Sequence, residues 1–185
     1  MTISNAIAKS HIGKLVTSDR QCLCLVHALA PTEAMVQASL PLAVGQSVTL
    51  GLRNGFTVPA IISIIQGEQV SLMFEERIAI STMLAEQRRG LDERESVRLT
   101  ISAPISIVDQ DQKYPCILQD ISLLGIKVRD DAAILNEGKQ VQVLIEGLGK
   151  RDAEVRWSNA SYAGLCFQVP LGYRMLDEWT LQQKV

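Results

Sequence analysis

The sequence predicts an all-β protein with terminal helices: two small antiparallel β-barrels, each followed by a helix. An internal repeat is the first observation behind this. "VHALAPTEAMV" (26–36) lies on "LQDISLLGIKV" (118–128) at an offset of 92. After one extra residue, "GQSVTL" (45–50) lies on "GKQVQV" (138–143) and "AIISIIQGEQVSLMF" (60–74) on "AEVRWSNASYAGLCF" (153–167) at 93. Alternation of apolar and polar residues is the second, clear in Val48-Leu50-Leu52, in Leu99-Ile101 with Ile105-Ile107, and in Val141-Val143-Ile145. Short strands broken by turns about every eight to twelve residues fit a small closed sheet in each half.

The elements follow in chain order. Residues 1–76 form the first barrel, with Asn54-Gly55 as a type I′ hairpin dipeptide where the second copy has Gly147-Leu148-Gly149. Residues 77–93 are a helix and linker arm: "EERIAISTMLAEQRRG" carries Ile78, Ile80, Met83 and Leu84 on one apolar face, and Gly90 stops it. Residues 94–185 form the second domain, which closes on a helix in "YRMLDEWTLQQ" with Met175, Leu176, Trp179 and Leu181 on its apolar face. Identical pairs across the copies are Cys24/Cys116, Val36/Val128, Gly45/Gly138, Val48/Val141, Ala60/Ala153, Leu72/Leu165 and Phe74/Phe167.

Composition narrows the function. At 185 residues, 47% hydrophobic and 21% charged, the chain is an ordinary globular protein with material for a core. A net charge of −2 offers no global positive field to DNA, RNA or an acidic membrane, so any anion must be bound locally. There is no apolar run long enough to span a bilayer and no signal-peptide pattern, which makes the cytoplasm the expected compartment. Cys22, Cys24, Cys116 and Cys166 lack metal-ligand spacing and are read as reduced packing residues. His11 and His27 stand in no metal or triad pattern, "GLGK" (147–150) is a hairpin turn rather than a phosphate loop, and no pair of carboxylates stands out as acid and base. No cofactor, metal or catalysis is expected.

One constellation does carry chemistry. In the arm "RRGLDERESVR", Arg88, Arg89, Arg94 and Arg98 are balanced by Glu86, Asp92, Glu93 and Glu95, so this is no basic patch. Arg94 and Arg98 instead present two planar guanidinium forks, which match the paired O6 and N7 acceptors of guanine. In "DISLLG" (120–125), Asp120 can accept from guanine N–H donors, Ser122 can hold a phosphate oxygen, and Gly125 permits a positive φ and close ligand approach. Together these describe a guanine-nucleotide site.

"RESVR" followed by "DISLLG" resembles the RxxxR and DxSxxG signature of PilZ domains, receptors for the bacterial messenger cyclic di-GMP. "RLTISAPISI", "AEVRW" and "AGLCF" are similar to the strands that surround it, and the resemblance covers residues 94–167. It implies that Arg94 and Arg98 grip guanine edges, Asp120 reads guanine, Ser122 binds phosphate and Gly125 shapes the turn. In the first copy "ALAPTE" places Ala28, Ala30 and Glu33 at the Asp, Ser and Gly positions, so that copy resembles a degenerate PilZ barrel. Glu93, where many family members carry a basic residue, disfavours a second stacked nucleotide. Arg88 and Arg89 are either accessory phosphate contacts or a solvated helix end, and Trp157 either borders the ligand or, more commonly for such a residue, fills the barrel core. The expected function is a cyclic di-GMP receptor that reorients its barrels to signal to a protein partner in motility, biofilm or polysaccharide control. The alternative is a ligand-independent adaptor in motility, secretion or polysaccharide machinery.

Overall fold

The computed structural model describes residues 11–80, 96–110, 112–131 and 133–183. The chain divides into two compact units, residues 1–97 and 98–185. The first contains β1 (His11–Val16), β2 (Gln21–Leu29), β3 (Glu33–Ala38), β4 (Ser47–Gly51), β5 (Thr57–Gln66) and β6 (Gln69–Phe74). The second contains β7 (Leu99–Asp109), β8 (Gln112–Ile121), β9 (Gly125–Arg129), β10 (Gln140–Ile145), β11 (Gly149–Ser158), β12 (Tyr162–Phe167) and helix α1 (Tyr173–Leu181). Each set of six strands closes into an antiparallel barrel, in the order β1-β2-β3-β6-β5-β4 and, correspondingly, β7-β8-β9-β12-β11-β10. The two predicted barrels are therefore present, with one strand order.

The repeat is explained by what its shared residues do. Cys24, Val36, Val48, Ala60, Leu72 and Phe74 are buried in the first barrel, and Cys116, Val128, Val141, Ala153, Leu165 and Phe167 in the second. Equivalent pairs also face each other across strands, as in Ala60 with Phe74 and Ala153 with Phe167. Gly45 and Gly138 both take a positive φ, 83° and 82°, before the strand that follows. Each buried leucine or isoleucine contributes about 1.5–3 kcal/mol, so the alternating rows account for the closed sheets. Both barrels bulge at matching places, between Val26 and Ala28 as between Leu118 and Asp120, and between Ile62 and Ile64 as between Val155 and Trp157.

Local expectations need three corrections. Asn54-Gly55 does not form a two-residue turn. β4 and β5 pair only as far as Gly51 and Thr57, and the connection holds a short 3-10 turn, Arg53–Gly55, that ends on a glycine at φ +77°. Helix α1 buries Leu176 and Trp179, with the indole N–H donating to the Glu146 carbonyl at 2.7 Å, but Met175 is exposed. Met175 lies about 100° around the helix from Leu176, which turns it away once Leu176 faces the barrel. Residues 81–95, which hold most of the expected first helix and linker arm, lie outside the described residues.

The third correction concerns the cysteines. Cys22, Cys24 and Cys116 are buried packing residues, but Cys166 is exposed on β12. Burial, followed by the negative field of Asp130 and Asp131, pushes the Cys116 thiol up from 9.0 to about 11. Alkylation of the native protein at pH 8 should therefore modify Cys166 while sparing the other three, read by mass spectrometry of the peptides. The raised Cys116 value also has a stability consequence. Its contribution is fully present below pH 9 and is lost as pH rises toward about 11, because the unfolded thiol releases its proton first.

Candidate functional site

The DxSxxG segment joins β8 to β9, and its turn is built by its own backbone. The Ser122 N–H donates to the Gly125 carbonyl at 2.8 Å, and the first barrel repeats this bond from Ala30 to Glu33 at 2.8 Å. The Ser122 hydroxyl is fully buried, donates to the Gly125 carbonyl at 3.2 Å and accepts from the Leu124 N–H at 3.3 Å. Its hydrogen bonds thus lock the turn. Gly125 is required for a different reason from the one expected, since it is absent from the positive-φ glycines. A Cβ built there would sit 2.1 Å from the Leu165 carbonyl oxygen, so the glycine is needed for the close approach of β12.

Asp120 is aimed by a bulge. Alternation along Cys116 and Leu118 would carry residue 120 into the barrel, but the extra residue Gln119 reverses the phase and turns Asp120 outward. There it faces Thr100 on β7, and the Arg98 Nη1 donates to its Oδ1 at 2.5 Å. With side chains 37% and 22% exposed, this pair is open to solvent and is worth about 0–1 kcal/mol, so a ligand can recruit both groups cheaply.

A second bulge corrects the core reading of Trp157. Ala153 and Val155 point inward, and the extra residue Arg156 sends Trp157 to the outer face, where it is 41% exposed. The indole lies down on Gly164: a Cβ there would meet Nε1 at 2.1 Å, so the glycine lets the indole pack this close. In register, Asp120 pairs with Lys127, Lys127 with Gly164, and Gly164 with Trp157. The result is one transverse row across β8, β9, β12 and β11, with an acceptor at one end, an ammonium in the middle and an exposed aromatic at the other. Lys127 is held with its Nζ 4.6 Å from the centre of the Tyr162 ring.

Lys127 in this row, and Thr100 beside Asp120 on β7, were not singled out from the sequence. No one-dimensional signal marks them, because register between strands brings them together. Arg98 and Asp120 are joined as described, whereas Arg88, Arg89 and Arg94 fall in residues 81–95, outside the described residues. "GLGK" is the β10–β11 hairpin, with Ile145 paired to Gly149. Among the described residues no group of three His, Cys, Asp or Glu side chains could hold a metal ion, and no helix is long and apolar enough to cross a membrane.

The family model described as PilZ domain matches residues 92–180. Residues 92–180 are a PilZ domain. PilZ domains are receptor and effector modules rather than enzymes. No curated protein matches the chain in sequence. Among solved structures, the chain is similar to the Borreliella burgdorferi PlzA protein in complex with c-di-GMP, at 14% identity over 95% of this chain and 93% of that one, with a TM-score of 0.40. It is also similar to the Bacillus subtilis inhibitor of motility MotI/DgrA, at 12% identity over 94% and 96%, TM-score 0.40. A third is Escherichia coli YcgR in complex with c-di-GMP, at 16% over 94% and 81%, TM-score 0.33. The PilZ barrel is the second of the two; Arg98 directly precedes its first strand β7, and Asp120–Gly125 spans the β8–β9 turn.

Proposed function

We propose that the chain is a cyclic di-GMP receptor whose PilZ barrel binds the messenger on its outer face. The observation that carries this is the Arg98–Asp120 pair, partly open to solvent at the head of the row that ends on Trp157. Arg98, with Arg94 four residues before it, supplies guanidinium forks for the O6 and N7 edge of guanine. Asp120 accepts from the N–H groups of the same base. Lys127 supplies positive charge beside the phosphates, and the Trp157 ring offers a face on which a base can stack. Ser122 and Gly125 act on the ligand through the turn they hold.

Signalling follows from the position of the arginines in the chain. Arg88, Arg89 and Arg94 precede the PilZ barrel on the segment that links it to the first, so a ligand gripping Arg94 and Arg98 would order that segment and change the placement of the first barrel for a protein partner. Glu93 beside Arg94 favours one nucleotide per site over a stacked pair.

Calorimetric titration with cyclic di-GMP, with GTP and cyclic di-AMP as controls, tests the reading. Saturable binding near one equivalent, selective for the guanine dinucleotide, is expected. A flat titration of folded, nucleotide-free protein would replace the receptor with a ligand-independent adaptor.

A further inference from the structure

The matching outer face of the first barrel has a different chemistry. Where the PilZ barrel carries the row Asp120, Lys127, Gly164 and Trp157, the first barrel carries Ala28, Met35, Ser71 and Ile64 in the same register. Two residues along β6, Met73 lies opposite Ile61, where the PilZ barrel sets Cys166 opposite Glu154. Ile64 and Met73 are 51% and 54% exposed. The exposure is built into the strand: the bulge at Ser63 reverses the alternation after Ile62 and turns outward an isoleucine that regular pairing would bury. Ile64 and Met73 thus lie diagonally on one outer face, and exposed apolar side chains grouped on a sheet mark a contact surface, unlike a single scattered one.

The charges around this face say what it contacts. Strands β3, β5 and β6 contain no lysine or arginine, whereas β9, β11 and β12 contain Lys127, Arg129, Lys150, Arg151 and Arg156. At the edge of the apolar patch, Glu33 sits directly opposite Met73, Glu68 lies in the β5–β6 turn and Glu75 follows β6, all three exposed. An anionic ligand is repelled here, and two copies meeting through the same face would set acid against acid. We infer that this face of the first barrel docks a partner protein through a segment that is aliphatic at its centre and rimmed by lysine or arginine. The inference does not depend on nucleotide binding by the PilZ barrel.

The test uses the full chain with 13C-methyl-labelled methionine and two synthetic helical peptides, one with a leucine face bordered by lysines and a twin with glutamates in place of the lysines. The lysine peptide should shift the Met35 and Met73 methyl signals saturably, with the glutamate twin at least tenfold weaker. Ile64→Glu should weaken the lysine peptide at least tenfold while the methyl spectrum stays dispersed, which separates loss of docking from loss of fold. Equal response to both peptides, no response, or shifts confined to Met175 would overturn the proposal. A shift of Met73 with protein concentration alone would assign the face to a second copy and equally overturn it.

Discussion

Arg98→Ala is expected to weaken cyclic di-GMP binding by about 10- to 150-fold while leaving the fold intact. The change removes a charged fork, and hydrogen bonds to charged groups are worth about 1.5–3 kcal/mol. It also strips Asp120 of the guanidinium that holds it at 2.5 Å. Stability should hardly move, because an ion pair with side chains 37% and 22% exposed contributes about 0–1 kcal/mol. Calorimetry and a thermal melt on one preparation separate the two effects. Binding equal to that of the unmodified protein would remove Arg98 from the site and leave the receptor reading without its best-placed contact.

Gly125→Ala should be the most damaging single methyl in the second unit. The added Cβ would lie 2.1 Å from the Leu165 oxygen and 3.1 Å from the Cys166 Cα, both backbone atoms that cannot rotate away. Relief requires prising β9 from β12, where Gly125 pairs with Cys166 and Ile126 with Leu165. Overpacking costs about 1–3 kcal/mol even where side chains can adjust, so about 3 kcal/mol or more is expected here. In a unit of this size that lowers the melting temperature by about 10–20 °C. The first barrel provides the control, since Glu33 occupies the equivalent place with the same turn hydrogen bond. Glu33→Gly should cost only about 0.5–1 kcal/mol, the backbone-entropy penalty of glycine. A Gly125→Ala melt within a few degrees of the parent would show that the strands part more easily than this packing implies.

Much of this molecule was legible in one dimension. The repeat offsets found two barrels because the shared residues, the turn glycines Gly45 and Gly138 apart, are ones each barrel buries, and burial constrains side-chain volume wherever it occurs. Of the candidate site residues, Arg98 and Asp120 lie together as an ion pair. The core reading of Trp157 and the positive-φ reading of Gly125 fail for related reasons: contacts between strands, the bulge at Arg156 and the close approach of β12, are in control.

The linear pattern thus set the number of barrels and the make-up of their cores. Which way each side chain points was left to the register between strands. A strand alternates with a period of two, so one inserted residue reverses every side chain beyond it, and that insertion is visible only as register against the neighbouring strand. Gln119 and Arg156 supply such insertions on either side of the PilZ row, turning Asp120 and Trp157 out of the core to face solvent. The same device at Ser63 turns out Ile64, so one backbone presents a cationic, aromatic face on one barrel and an aliphatic, acid-edged face on the other.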